Sequence, residues 1–261
     1  MTLLDDKVCI VSGVGPGMGQ AVARAMARDG GRVVLVARDH ERLSQVADRM
    51  IAAGGVALPV PTDITDGEAC AALVERTLEE FGRIDVLVNS AFRPDPSVSF
   101  LDADLDVWKK VHLVNVWGTF GLTQVVARQM VEQGDGGSIV NVSSMVVRKA
   151  MELQGAYGTS KGAVHVFTRI LARELARHDI RVNSVVPGWM WGPSVQIYVD
   201  WLMQSDGLSL EEAKAKIAVD IPQGEIPSQE DCAEAIVFLA SDRARVITGQ
   251  ALDVNGGEVF H

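Results

Sequence analysis

Short apolar runs alternate with longer stretches of helical period along most of the chain. VCIV at 8–11 precedes a helical pattern over 18–29, VVLVA at 33–37 one over 41–53, and VALPV at 56–60 one near 67–81. IDVLVN at 84–89 precedes a pair of helices within 102–133, and SIVNVS at 138–143 a long helix near 156–177. RVNSVV at 181–186 and ALDV at 251–254 follow. Strand, helix, strand in succession implies parallel pairing. The runs are rich in β-branched residues and apolar at successive positions, as strands covered on both faces must be. The pattern predicts an α/β protein, with a doubly wound parallel sheet of about seven strands and helices on both faces.

No linker rich in proline or glycine divides the chain, so residues 1–261 read as one domain. The irregular part is 188–227, where GWMWGPSVQIYVDWLMQ sets three tryptophans, a tyrosine and two methionines between a strand end and the last helices. A helical stripe of aromatic residues is more often core than pocket, and sequence alone leaves that open.

Lys and Arg number 24 against 34 Asp and Glu, a formal charge of −10. That argues against nucleic acid and anionic membrane as partners, since both reward basic surface. With 48% hydrophobic and 22% charged residues the composition is that of an ordinary globular protein. No apolar run approaches the roughly 20 residues of a membrane helix, and the N-terminus lacks a basic region ahead of an apolar one. The expectation is a soluble, cytoplasmic protein. Cys9, Cys70 and Cys232 stand singly, each expected as a small buried side chain. His40, His112, His165, His178 and His261 form no ligand spacing, so no metal is expected and structural or surface roles are.

The first strand runs directly into Ser12-Gly13-Val14-Gly15-Pro16-Gly17-Met18-Gly19 and then an alanine-rich helix. Glycines there let the backbone approach a pyrophosphate, and the helix start offers unpaired N–H groups to its charge. At the end of the second strand an acidic side chain would bond a ribose 2′-hydroxyl and a basic one would accept a 2′-phosphate. Ala37 stands where the acid would be and Arg38 follows, which favours NADP. A slip of one residue would bring Asp39 to the ribose and favour NAD instead.

Tyr157 and Lys161 are four apart on the long helix, hence on one face. An ammonium there would lower the phenol pKa from about 10 towards neutrality, suiting it to exchange a proton with a carbonyl or alcohol oxygen. Ser144, thirteen residues earlier, stands at the end of the strand SIVNVS with Ser143 beside it, where a hydroxyl faces the ligand crevice of an open parallel sheet. Asn115, inside the apolar VNVWG, is a buried amide that needs a backbone carbonyl or bridging water as partner.

Together these motifs resemble the short-chain dehydrogenase/reductase family over essentially the whole chain, in its single-domain subfamily of about 250 residues with a Rossmann-type sheet. The resemblance implies that Ser12, Gly13, Gly17, Met18 and Gly19 form the cofactor turn. It implies that Asp63 and Ile64, in PTDIT, contact the adenine, and that Asn89 opens the strand end written NNAG in the family. It also implies that Asn115, Ser144, Tyr157 and Lys161 are the catalytic tetrad: Tyr157 the acid/base, Ser144 polarising the substrate oxygen, Lys161 holding the ribose, and Asn115 anchoring a proton-relay water. Pro187 and Gly188 match the motif beside the nicotinamide, and DVNGG at 253–257 the C-terminal strand end.

Two departures stand out. NNAG reads Asn89-Ser90-Ala91-Phe92, and the RPDPS that follows implies a reshaped loop at the site's mouth. The threonine of PGxxxT falls on Gly192, with Ser194 as a substitute hydroxyl. By the same resemblance the stretch after Pro187-Gly188 is a substrate lid, with Trp189, Met190, Trp191, Ile197, Tyr198 and Trp201 suiting a bulky, apolar or cyclic alcohol or ketone. Met151, Leu153 and Gln154 line the same pocket, and Arg93, Arg148 and Lys149 sit in candidate loops. The competing reading is a nicotinamide-sensing protein without turnover. Sugar epimerisation is disfavoured by the short C-terminal region. A homotetramer or homodimer through the helices of Asn115 and Tyr157 is implied.

Overall fold

The structure is a computed structural model that describes residues 2–260, so His261 lies outside the described residues. Seven strands, β1 (Val8–Ser12), β2 (Arg32–Ala37), β3 (Val56–Pro61), β4 (Val86–Asn89), β5 (Gly137–Val142), β6 (Ile180–Pro187) and β7 (Ala251–Val254), form one parallel sheet in the order β3-β2-β1-β4-β5-β6-β7. Order reverses beside β1, which opens a crevice at the C-terminal strand ends where β1 and β4 diverge into their helices. Pro59 and Pro61, which cannot donate to a ladder, are confined to the edge strand β3.

One face is covered by α1 (Met18–Arg28), α2 (His40–Ala52) and α9 (Gln229–Ala240), whose Val22, Met26, Leu43, Val46, Ile236 and Val237 share a core with Val11, Val33 and Val88 of the sheet. The other carries α3 (Gly67–Phe81), α5 (Thr119–Gln133) and α6 (Gly155–Leu175), with Leu73, Leu122, Val126 and Met130 on Ile10, Val34, Leu87 and Ile139. Asp39 caps α2 through the Arg42 N–H at 3.1 Å, and Asp66 caps α3. Ser228 and Asp231 close a capping box on α9.

The expected pair of helices within 102–133 is instead one continuous run: α4 (Leu105–His112), a π-helical turn at Leu113–Gly118, then α5. A π turn inserts an extra residue and swings side chains out of helical register, a deformation found mostly at functional sites. Here it carries Asn115 inward while Trp117 stays 65% exposed.

Between β6 and α9 the chain leaves the sheet and forms α7 (Pro193–Asp206) and α8 (Leu210–Ala218). They pack on each other through a small core of Val195, Val199, Leu202, Ala213 and Ile217, against which Trp189 and Trp191 lie. The aromatic stripe therefore divides: Trp189 and Trp191 join this core, whereas Ile197, Tyr198 and Trp201 are exposed. All three cysteines are free and buried. No helix among the described residues is long and apolar enough to cross a membrane, and none of their His, Cys, Asp and Glu side chains form a metal-holding group.

Candidate active site

Strand register brings polar residues into a row near the C-terminal end of the sheet. Ser12 pairs with Asn89, Asn89 with Asn141, and Asn141 with Ser184. All four are buried. The Asn89 amide donates to Asn141 Oδ1 and Thr123 Oγ1, each at 2.9 Å, and the Asn141 amide to Thr168 Oγ1 at 2.9 Å. These bonds tie the middle of the sheet to α5 and α6. Thus Asn89, expected at the cofactor, spends both its side-chain donors on the scaffold.

Beyond this row Ser144 follows β5. Its hydroxyl accepts from the Val146 N–H at 3.4 Å and is near enough to the Tyr157 phenol to act on its pKa. Lys161, one turn further along α6, is 5% exposed and donates to the Val142 carbonyl at 2.7 Å. Its Nζ lies 5.6 Å from the Tyr157 ring centroid. The phenol, the Ser144 hydroxyl and the Lys161 ammonium therefore meet at the C-terminal edge of β5.

The electrostatics differ from the sequence-based expectation. Burial pushes the Tyr157 phenol above its ordinary value, against a smaller lowering by its hydrogen bond with Ser144. The reason is that Lys161 turns to a backbone carbonyl and is itself desolvated, its pKa brought down to about 8.

Asn115, 1% exposed, occupies the π turn. Its Oδ1 accepts from the Arg93 N–H at 2.6 Å, and its Nδ2 donates to the Arg93 carbonyl at 3.1 Å and to Ser160 Oγ at 3.0 Å. A side-chain amide thus mimics a strand neighbour for the loop after β4.

The glycine turn leaves β1 with Gly13 at φ 79°, where a Cβ would sit 2.4 Å from Ala91 backbone, so no side chain fits. A Cβ on Gly19 would lie 2.2 Å from the Gly13 carbonyl oxygen. α1 then starts at Met18 with no side-chain cap and no acid in its first turn, leaving its N–H groups to a ligand or water. The Ser12 hydroxyl at the same strand end is buried without a protein partner. These features fit a bound dinucleotide phosphate.

At the end of β2 Arg38 is exposed and close enough to Asp63 to help lower its pKa, behind the larger effect of the Thr65 N–H, which Asp63 accepts at 2.9 Å. Ile64 is buried against Gly118, where a Cβ would come within 2.8 Å of it. Asp39 is committed to capping α2.

Pro187 ends β6, and the Gly188 N–H donates to Val254 at 3.0 Å. From there Trp189, Tyr198 and Trp201 form a stacked ladder with centroids 5.3 and 5.7 Å apart. Trp191 is fixed at its N–H by the Pro227 carbonyl and covered by Lys214, 4.5 Å from its ring. The Gln229 amide fills the place beside Gly192, 1.9 Å from where a Cβ would be, so any side chain there would have to displace it. Ser194 is exposed on α7. Met151 is half-buried ahead of α6, and Gln154 stands at the α6 N-cap position without a capping bond. Arg148 and Lys149 are paired with Asp253 and Glu258, while Arg93 is exposed.

Two residues absent from the sequence-based candidates touch the site. Asp95 accepts the Tyr157 N–H at 3.0 Å, and Gln229 stands between Gly17 and Gly192. The signal for Asp95 was the missing cap: GAYG follows Gln154, so the α6 start needs an acceptor from elsewhere. Gln229 gave no signal, being an ordinary first-turn residue in sequence.

A family model described as Enoyl-(Acyl carrier protein) reductase matches residues 13–258. An L-rhamnose 1-dehydrogenase (NAD(P)(+)) from a Sphingomonas species is 36% identical over 259 residues, covering 98% of each chain. A 3-oxoacyl-[acyl-carrier-protein] reductase of Thermotoga maritima is 34% identical, covering 98% of this chain and 99% of its own. Among solved structures, an actinorhodin polyketide ketoreductase variant with NADPH superposes with a TM-score of 0.91 at 33% identity, covering 99% of both chains. A short-chain type dehydrogenase/reductase from Mycobacterium marinum reaches 0.85 at 32%, covering 98% of this chain and 96% of its own. With the sheet order, the glycine turn and matches of this length in agreement, the chain belongs to the short-chain dehydrogenase/reductase family and is an oxidoreductase.

Proposed function

We propose that the protein interconverts a secondary alcohol and a ketone, bulky, apolar or cyclic, using NADP in preference to NAD. The observation that carries this reading is the convergence at the end of β5 of the Tyr157 phenol, the neighbouring Ser144 hydroxyl that acts on its pKa, and Lys161, whose Nζ lies 5.6 Å from the phenol ring. A nicotinamide cofactor supplies or accepts the hydride. Tyr157 gives the matching proton to the carbonyl oxygen in reduction and takes it back in oxidation. Ser144 holds that oxygen in place, which supplies orientation before any bond changes. A phenol pushed up by burial keeps its proton at neutral pH, which suits the reductive direction.

Lys161 would hold the cofactor ribose, Asn115 a relay water, and the turn from Ser12 to Gly19 the phosphates, with Asp63 and Ile64 at the adenine and Pro187 and Gly188 beside the nicotinamide. Residues 188–227 act as a lid on the one domain, with Trp189 and Trp191 against the substrate and Met151 and Gln154 opposite. The stacked rings of Trp189, Tyr198 and Trp201 support an apolar lid face. The chain is proposed to work in the cytoplasm as a homodimer or homotetramer.

Mixing protein with NADPH or NADP and a panel of cyclic and aromatic ketones and alcohols, while following the reduced ring's absorbance, tests the reaction. Tyr157→Phe is expected to lower kcat by about 100-fold or more and to leave the cofactor Kd within about twofold. Full turnover in that variant would refute the assignment. NADP preference is supported by Arg38, which stands exposed at the β2 end while Asp39 is engaged by α2. Ala37→Asp with Arg38→Ala is expected to shift the kcat/KM ratio towards NAD by about tenfold or more. An unchanged ratio would remove Arg38 from the cofactor site.

A further inference from the structure

The loop after β4 meets three of the four tetrad positions. Phe92 lies edge-on to the Tyr157 ring at 6.2 Å, and the Lys161 Nζ is 6.0 Å from the Phe92 centroid. The backbone of Arg93 is held on both its N–H and its carbonyl by Asn115. Asp95 then reaches back, its Oδ2 accepting the Tyr157 N–H at 3.0 Å and its Oδ1 accepting the Ser97 N–H at 3.3 Å.

The third N–H of a helix has no partner four residues back, so its position depends on whatever caps it. In α6 that third residue is Tyr157 itself, and Gln154 at the N-cap position makes no capping bond. Two residues before Tyr157, Gly155 is packed under the Trp108 ring, where a Cβ would come within 2.5 Å. The first turn of α6 is therefore set from outside, by Trp108 on one side and the Asp95 carboxylate on the other.

We propose that Asp95 is a positioning residue that fixes the backbone of Tyr157, and with it the phenol's distance to Ser144, from a loop tied through Arg93 to Asn115. This rests on the reading of Tyr157 as the proton-transfer group. The carboxylate does not touch substrate. It acts by holding the helix start, and a misplacement of about 1 Å at a reacting group can cost about 100-fold in rate.

The test compares Asp95→Ala with Asp95→Asn, whose side-chain oxygen can still accept the N–H. Hydrogen exchange of the segment 155–158 is expected to quicken by about tenfold in Asp95→Ala and to stay within about twofold of wild type in Asp95→Asn. With a ketone found by the panel, Asp95→Ala is expected to lower kcat about tenfold with KM and NADPH Kd within about twofold, and Asp95→Asn to restore most of it. Unchanged exchange in Asp95→Ala would overturn the proposal. So would quickened exchange with unchanged kcat, or equal losses in both variants, or a matching loss of NADPH affinity. If the wild-type protein turns over no ketone or alcohol, the failure belongs to the proposed reaction and removes the kinetic role, while exchange still decides whether Asp95 holds Tyr157.

Discussion

Lys161 and Tyr157 share a desolvated space, and burial moves both towards their neutral forms: the lysine pKa falls to about 8 and the phenol's rises. For Lys161 the folded pKa is below the ordinary value of 10.5. Below about 8 both folded and unfolded chains hold the proton, and the folded state carries the full cost of a buried ammonium. Between about 8 and 10.5 the unfolded lysine binds more protons than the folded one, so its contribution to stability rises with pH. From about pH 9 the buried Cys9, Cys70 and Cys232 thiols oppose this contribution, and above pH 10 the tyrosine does too, since all four are raised and keep in the folded chain a proton that the unfolded one loses. The lysine interval corresponds to roughly 3 kcal/mol as an upper bound. Calorimetric melting of the cofactor-free protein should therefore show the Tm of wild type gaining on that of Lys161→Met from about pH 7.5 to about pH 9.5, a comparison in which the thiols cancel. A Tm difference that stays constant over this range would show that Lys161 does not titrate there. The residues themselves were legible in the sequence, because Tyr157 and Lys161 needed only helical spacing. The orientation of the ammonium was not, because it depends on the Val142 carbonyl, which only the folded chain brings near.

At the scale of elements, the strands were readable because a strand buried on both faces must be largely apolar, and VCIV and VVLVA are so. The polar residues near the strand ends form a ladder: Asn89 and Asn141 sit at matching register and bond Thr123 and Thr168. The π turn was not readable. The expectation was a pair of helices within 102–133, but the chain continues helically because the Asn115 amide finds Arg93 and Ser160 and offsets the distortion with buried hydrogen bonds. α7 and α8 were also unresolved in sequence, since they face a core of only a few side chains and most of their length is exposed. Their aromatic content implied a pocket or a core, and the structure divides it between a small core and an exposed face.

For the molecule as a whole, the formal charge of −10 makes the apolar surface on α5 and α6 conspicuous. Trp117, Phe120, Phe167 and Leu171 line a groove of about 810 Å³ there, with Phe120 and Phe167 stacked at 3.6 Å between centroids, and Val166 and Ile170 are about half exposed beside it. Exposed apolar surface of this kind marks an interaction site. A second copy is the occupant proposed, because the helices α5 and α6 can meet their own counterparts across a two-fold axis, burying the same residues on both sides. The groove continues from the π turn, so such an interface would cover Trp117 two residues from Asn115 and brace the clamp on Arg93. Light scattering is expected to give a multiple of the 28.0 kDa chain mass for the wild-type protein. Trp117→Glu, which changes a side chain 65% exposed in the single chain, is expected to reduce that mass while leaving the circular dichroism unchanged. It should also lower kcat, because the lost interface no longer braces the clamp of Asn115 on Arg93. A wild-type monomer, or a variant with unaltered mass, would leave this face without a partner copy and detach assembly from the support of Asn115.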